Sequence, residues 1–404
     1  MTNFKENLAK LKSITDVNSI TIYESNGEVA SHIPNEPGKQ GSLQVYANQL
    51  GFESGSISGD DRFAMLETFA EHRADAQTNP SKHSNIDILL NDQAVNSWID
   101  FKVSSDLRER VDKFVSMKKA GTLLSEKSGA LDTFTELADL VEKGYLRTAT
   151  FTGKGWEANQ WVKEGLCLAF PLGDIVAYNE GNDITFTDKS TLPIRKMTGN
   201  EGFRVVPPAS GLRRGSYAGQ GATFMPPAYV NVGGYVGRGS MIESLVGSCA
   251  QVGKNSHISA GTVIGGVLDP MEATPNILGD NVLLGEGSGI TQGTRLGNNV
   301  MLAPGVHISG SSPVFDTVNG LAYTRQGTYE LDTTINSGVR LNRLSNNLIQ
   351  EKDTSYGPVI PNGALIINGL AISRTGELRT VPTIVKYVSS AAEQNFDLNA
   401  DLRQ

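Results

Sequence analysis

YVGRGSMIESLVGSCAQVGKNSHISAGTVIGG, residues 235–266, places an aliphatic side chain at a fixed step of six. Val236 and Ile242 set the step, and Val246, Val252, Ile258 and Ile264 resume it after a shortened gap. Upstream it runs through Leu212, Ala218, Phe224 and Val230; downstream through Leu278, Leu284, Ile290, Leu296, Leu302 and Ile308. Such a repeat marks a parallel β-helix built from hexapeptides. Each aliphatic points inward, and stacked coils bury a continuous core that no single repeat could bury alone. A small residue often follows, as in Val246-Gly247, Val252-Gly253 and Leu284-Gly285, and is expected to let the backbone turn a corner.

The register breaks twice. The first and third series share one phase, because Ile242 and Leu278 are 36 residues apart, six whole repeats. The middle series does not: Ile242 to Val246 is two residues short and Ile264 to Leu278 two residues long, so a deletion and an insertion cancel. Local rule-breaking inside a regular fold marks function. Glu243 sits at the first break and GGVLDPMEATPN (265–276) at the second.

The bulk numbers agree with this reading. Gly is abundant, at 44 of 404 residues, as a turn-rich coil requires, and aromatics are sparse at 7 %, which suits a narrow aliphatic interior. A net charge of −8 argues against a general nucleic-acid surface. Two cysteines, Cys167 and Cys249, exclude a disulfide framework and point to a reducing compartment. No apolar run is long enough to span a membrane, and the opening MTNFKENLAKLKSI lacks the apolar segment of a secretory signal. The expected location is cytoplasmic.

The expected organisation is an α/β extension of unknown role over 1–110, a helix-rich domain over 111–202, the β-helix over 203–310, an insert or distorted coil over 311–356, and closing strands with a tail over 357–404. Within the extension, NFKENLAKLKSI and DDRFAMLETFAEHRADAQ have helical spacing, SITIYES reads as a strand, and GSISGDDRF supplies an Asp N-cap. SDLRERVDKFVSMKKAG and LDTFTELADLVEKGYLR read as helices, the second stopped by Gly144.

Longer words carry a resemblance. GYLRTATFTGKGWEANQWVKEGLCLAF (144–170), GFRVVPPASGLRRGSYAG (202–219), MPPAYVNVGGYVGRGSMIES (225–244), VGSCAQVGKNSHISAG (246–261) and IGGVLDPMEATPNILGDNVLLG (264–285) resemble the tetrahydrodipicolinate N-succinyltransferases of the diaminopimelate–lysine pathway. The similarity covers roughly Leu131 to Ser389, less the insert. SMIESLVG (240–247) and LLGEGSGITQG (283–293) look closer to a divergent branch; in the commoner branch a second acid stands where this chain has Gly289. The resemblance implies a mainly β fold: a left-handed parallel β-helix behind an α-rich N-terminal region, assembled as a homotrimer with sites between subunits. It implies succinyl-CoA as donor and a small dicarboxylate amine as acceptor, with no metal.

Glu243 falls where the family carries its catalytic acid. An amine attacking a thioester must lose a proton, and a carboxylate within hydrogen-bond reach can take it, the more so if burial raises its pKa. It could instead attack the thioester and form a mixed anhydride; the bland alternative is a solvated corner glutamate. Arg204 matches a substrate-binding arginine of the family, and Arg213 lies in a family word; guanidinium forks suit a dicarboxylate, against the alternative of surface ion pairs. Ser259, Ala260, Gly261, Gly265, Gly266, Gly285, Glu286 and Ser288 form a set of mostly small residues on consecutive coils. They mark the expected coenzyme A track, where backbone amides could also hold the thioester oxyanion, although any single glycine could merely make a corner. Lys254 and Lys386 are further candidates for the cofactor's phosphates. His257 is the rival base, with a hydrated corner histidine as the preferred reading. His257 and His307 alone fall in the β-helix, too few for a three-histidine zinc site. Cys249 reads as packing. Two other functions stay open: an acyltransferase using acetyl-CoA with another amine, motivated by Gly289, and a non-catalytic trimeric scaffold.

Overall fold

The computed structural model describes residues 3–178, 186–193, 195–269, 274–336, 339–351, 357–373 and 375–388, without the side chains of 334–340 and 351. The tail beyond residue 388 and residues 270–273 of the GGVLDPMEATPN loop lie outside the described residues. The chain divides into two compact units, residues 1–105 with 150–157, and residues 106–149 with 158–404.

The first unit is an α/β layer. It contains α1 (Phe4–Leu8), β1 (Val17–Tyr23), β2 (Val29–Pro34), α2 (Gln40–Gln49), β3 (Gly55–Ser56), α3 (Gly59–Thr68), α4 (Glu71–Thr78), α5 (Ser84–Leu90) and β4 (Asn96–Phe101). The strands form one sheet in the order β2-β1-β4-β3, with Ile20 opposite both Ile33 and Ile99. Ile20, Ile22, Ile33, Leu43, Tyr46, Met65 and Phe69 are fully buried or nearly so. Tyr46 can sit there because its hydroxyl donates to the Asn85 carbonyl at 2.6 Å. Two expectations are corrected. The stretch 60–77 is not one helix: the chain takes positive φ at Ala70 and divides into α3 and α4. The N-cap of α3 is Ser58 rather than an aspartate. Its hydroxyl accepts the Asp61 amide while the Asp61 carboxylate accepts the Ser58 amide, each at 3.0 Å.

The second unit begins with α6 (Leu107–Lys119), α7 (Lys127–Glu142), α8 (Gln160–Leu166) and α9 (Ala169–Leu172). Gly144 follows α7 at φ 74, the expected stop. A Cβ at Gly165 would lie 2.5 Å from Leu137 and 2.8 Å from Val111, so α8 approaches α6 and α7 only with glycine there. Arg147 ties this helical part to the coil. Its guanidinium lies 3.7 Å over the Tyr235 ring and donates to Gln251 at 2.9 Å.

The coil is a parallel β-helix of three faces. The first stacks Gly211–Leu212, Tyr229–Val230, Leu245–Val246, Val263–Ile264, Gly289–Ile290 and His307–Ile308. The second stacks Tyr217–Ala218, Tyr235–Val236, Gln251–Val252, Ile277–Leu278, Arg295–Leu296 and Val359–Ile360. The third stacks Arg204–Val205, Thr223–Phe224, Met241–Ile242, His257–Ile258, Leu283–Leu284, Met301–Leu302 and Ala364–Ile372. The second residue of each pair points inward, and all sixteen aliphatic or aromatic residues of the six-residue series, from Leu212 to Ile308, are buried in one core.

The small residue after each inward aliphatic has a different cause from the one expected. Corners are turned three residues after the aliphatic, where Gly215, Gly233, Cys249, Asn255, Gly261, Asn281, Gly287 and Asn299 all adopt positive φ. The glycine immediately after the aliphatic is required by the neighbouring coil. A Cβ at Gly247 would lie 2.3 Å from the Gly266 nitrogen, and one at Gly253 2.4 Å from the Gly279 oxygen.

The two register breaks are also resolved. On the third face successive partners Thr223, Met241, His257 and Leu283 are separated by 18, 16 and 26 residues. The short coil lacks two residues at the corner holding Glu243. The long one carries eight extra residues, all between Val263–Ile264 and Ile277–Leu278, and among the described residues it adds no strand to the stack. The sequence showed only the excess over whole repeats, two residues. Beyond Ile308 the chain forms an antiparallel ribbon, Gly327–Asn336 with Val339–Glu351, before Val359–Ile360 and Ala364–Ile372 rejoin the second and third faces. Asp316, fully buried where the ribbon starts, accepts the hydroxyls of Tyr387 at 2.7 Å and Tyr323 at 3.2 Å and the amide of Asn319 at 2.8 Å.

Candidate active site

The corner between third and first faces gathers most of the expected residues. Glu243 follows Met241–Ile242 in the shortened coil, and its amide donates to the Ile258 carbonyl at 2.9 Å. His257 stands one rung up the same face, opposite Met241. The two side chains converge, with His257 Nε2 3.9 Å from Glu243 Oε2, and both are about a quarter exposed (21 % and 28 %). Directly above lie Ser259, Ala260 and Gly261, then Gly285, Glu286 and Ser288, each at the same corner of the next coil. The missing residues thus hold the acid close against the coil above, beside an imidazole and at the foot of a column of small side chains.

Some amides at that corner are occupied in stacking. Ser259 donates to Leu284, Gly285 to Leu302, and Gly287 to Ala260 at 2.9–3.1 Å. Ala260, Gly261 and Glu286 are exposed residues, and among the described residues their amides make no coil-to-coil bond. Gly265 and Gly266 belong to the next corner, between first and second faces, so the expected track is divided over two edges.

The two arginines are separated as well. Arg204 is exposed at the foot of the third face, two rungs below Met241, about 10 Å along the axis. It lines a cavity of about 540 Å³ with Met197, Glu201 and Phe203. The amide and hydroxyl of Thr198, helped by the Gly199 amide, hold the Glu201 carboxyl down at about 2. Arg213 stands across the first face from it, at the corner shared with Gly265 and Gly266. Its guanidinium meets both Asp188 oxygens at 2.7 and 3.0 Å and Asn231 at 3.2 Å, and stacks near Phe170 at 5.8 Å. Phe170, Asn231, Ser248, Gly266 and Asp269 line a cavity of about 240 Å³ with it. Sequence reasoning missed this grouping, because α9, three coils and the excursion contribute one residue or two apiece. Asp188 lies on a hairpin, Ile175–Tyr178 with Phe186–Lys189, that was not anticipated.

Lys254 does not reach solvent: it is buried with Nζ 3.7 Å from Asp280. Lys386 is exposed on the closing strand Leu378–Tyr387. His307 is exposed on the first face, two rungs above Val263. Burial pushes the Cys249 thiol well above its ordinary range, which suits packing rather than nucleophilic work. Among the described residues no three His, Cys, Asp or Glu side chains come together as a metal site.

Comparison with known proteins gives these positions a family. A family model described as "Tetrahydrodipicolinate N-succinyltransferase N-terminal" matches residues 106–172, and one described as "Hexapeptide repeat of succinyl-transferase" matches 275–309. Residues 4–102 match a family described as "Uncharacterized protein conserved in bacteria (DUF2322)". A 2,3,4,5-tetrahydropyridine-2,6-dicarboxylate N-succinyltransferase of Polynucleobacter asymbioticus is 41 % identical over 207 residues, 49 % of this chain and 74 % of the relative. Enzymes of the same name from Methylorubrum extorquens and Idiomarina loihiensis are 36 % and 34 % identical, over 50 % and 53 % of this chain and 74 % and 79 % of theirs. With this identity spread over about three quarters of each relative, the chain belongs to the family of 2,3,4,5-tetrahydropyridine-2,6-dicarboxylate N-succinyltransferases.

Proposed function

We propose that the chain is a CoA-dependent acyltransferase that moves succinyl from succinyl-CoA to the amine of tetrahydrodipicolinate in its open-chain 2-amino-6-oxopimelate form. The relatives' shared name supplies the reaction, and the observation that carries it onto this chain is the placement of Glu243. A partly buried carboxylate opens onto the column of small residues expected to seat the pantetheine arm. The amine nitrogen forms a bond to the thioester carbonyl carbon while Glu243 takes its proton. The tetrahedral oxyanion is held by amides of the Ala260–Gly261 and Glu286 corners. Collapse breaks the C–S bond, the sulfur leaves as thiolate, and N-succinyl-2-amino-6-oxopimelate and CoA result. The same carboxylate attacking the carbonyl first, through a mixed anhydride, balances equally well. Arg204 binds a substrate carboxylate. Arg213, already gripped by Asp188, orients the neighbouring wall or exchanges that carboxylate for the substrate's. The β-helix is left-handed, the working particle is a cytoplasmic homotrimer with its clefts between protomers, and no metal takes part.

Thiol release from succinyl-CoA in the presence of tetrahydrodipicolinate tests the assignment. Glu243→Gln is expected to lose at least about a hundredfold in kcat with an unchanged melting temperature. Retained turnover in that variant, with loss in His257→Ala, would transfer the base to the histidine, which the 3.9 Å approach of the two groups makes the natural rival. Faster turnover with acetyl-CoA would favour the reading suggested by the absence of an acid at Gly289. No calorimetric binding of CoA would leave only a scaffold.

A further inference from the structure

The first unit contains a cavity of about 730 Å³ that the acyl-transfer reading does not use. Its lining includes Lys39, Lys82, His72 and His83 and no aspartate or glutamate, in a chain whose acids outnumber its lysines and arginines 43 to 35. The volume is in the range of small-ligand sites.

The cavity is built from two kinds of surface. Its floor is apolar: Phe4 stacks on Phe69 with centroids 5.7 Å apart, His72 meets the Phe4 ring edge-on at 4.7 Å, and Leu8 lies alongside. A Cβ on Gly41 would approach the Phe4 ring to 3.1 Å, so α2 packs this close to the floor with glycine at that position. Its rim is a set of donors. The segment Gly38-Lys39-Gln40-Gly41-Ser42 enters α2 through a left-handed Gly38 (φ 87), and no side chain caps the helix. The first-turn amides therefore lack an intrahelical acceptor, and their residues line the cavity. The Ser42 and Ser84 side chains also line it. Across the mouth, Asp75, itself outside the lining, takes Lys82 Nζ and His83 Nε2 at 2.7 Å each and fixes both at the rim. Among the described residues Lys39 makes no ion pair.

Cationic side chains, uncapped helix amides and an apolar floor in one cavity are complementary to a dianion attached to a ring. We propose that this cavity binds a small phosphorylated ligand of nucleotide type, its phosphate on Lys39, Lys82 and the first turn of α2 and its ring against Phe4 and His72. The site is independent of the acyl-transfer reading.

Calorimetry on the full chain with AMP, inorganic phosphate and adenosine tests this, combined with hydrogen exchange across residues 38–44. AMP is expected to bind more tightly than phosphate, adenosine not measurably, and AMP to slow exchange over 38–44. Lys39→Glu, at an exposed position before a helix where an acid is well tolerated, should weaken AMP by at least about tenfold. Its thiol release from succinyl-CoA should equal that of the parent. Absence of AMP binding at millimolar concentration, undiminished affinity in Lys39→Glu, or protection confined to the coil would each overturn the proposal. A chain inactive towards succinyl-CoA that still passes these tests would separate failure of the two readings.

Discussion

At the scale of single residues, position within a coil decides what a side chain is for. The glycine directly after an inward aliphatic has no room for a methyl group, whereas the residue three places on needs a left-handed backbone. These are different constraints and respond to different substitutions. Gly247→Ala, whose added carbon would meet backbone of the adjoining coil, should cost about 1–3 kcal/mol in urea unfolding. Gly287→Ala has nothing near its added carbon and is penalised only by its φ of 64, so about 1 kcal/mol is expected. Asn281→Gly should be close to neutral, since asparagine already tolerates that conformation. The six-residue step made the inward aliphatics legible, but both requirements favour small residues, and composition alone does not separate them. Glu243 was legible because it stands where the step fails and where the resembling family carries its catalytic acid. Its neighbour His257 was visible as a residue, but its approach to 3.9 Å depends on how the shortened corner lets one coil settle on the next.

At the scale of elements, local chemistry fixes boundaries that periodicity blurs. The apolar spacing over 60–77 runs on as though through one helix, yet the chain reverses at Ala70, and Ser58 with Asp61 starts the first of the two. Ser58→Ala should lower stability by about 1 kcal/mol, checked by thermal melting, with Ser58→Asp restoring most of it. The excursion after Ile264 was read as two residues long when it is eight, because a six-residue period reports length only as a remainder. The pocket around Arg213 escaped for another reason: α9, the Asp188 hairpin and the corners carry no shared pattern along the chain. Charge acts at this scale too. The Glu201 carboxyl, which folding lowers to about 2, contributes stability that is fully present above its unfolded pKa and is lost as pH falls through about 2. The segment 198–204 and the cavity around Arg204 should therefore loosen on acidification over that window. Protection factors of the Thr198 and Gly199 amides, corrected for the intrinsic rate at each pH, should fall between pH 4.5 and 2.5, and fall less steeply in Glu201→Gln, whose starting protection is already lower.

At the scale of the whole molecule, the chain joins a unit matching a separate family to a stacked coil, and the two are encoded in different ways. The coil announces itself by repetition, which is why its faces could be read before any coordinate. The first unit has no repeat, and its sheet order β2-β1-β4-β3 rests on contacts between segments up to 84 residues apart that leave no periodic trace. Light scattering is expected to give three times the 43.3 kDa chain mass, and a monomer with full turnover would remove the cleft between protomers from the mechanism.

In the coil, cohesion runs along the axis, strand upon strand, whereas covalent connection runs around the perimeter. Length added at a vertex is therefore invisible to the layers on either side, as the eight additional residues ahead of Ile277 already demonstrate. That vertex is a natural graft point. A foreign peptide spliced into the excursion ahead of Ile277 should leave the melting transition of its host where it was.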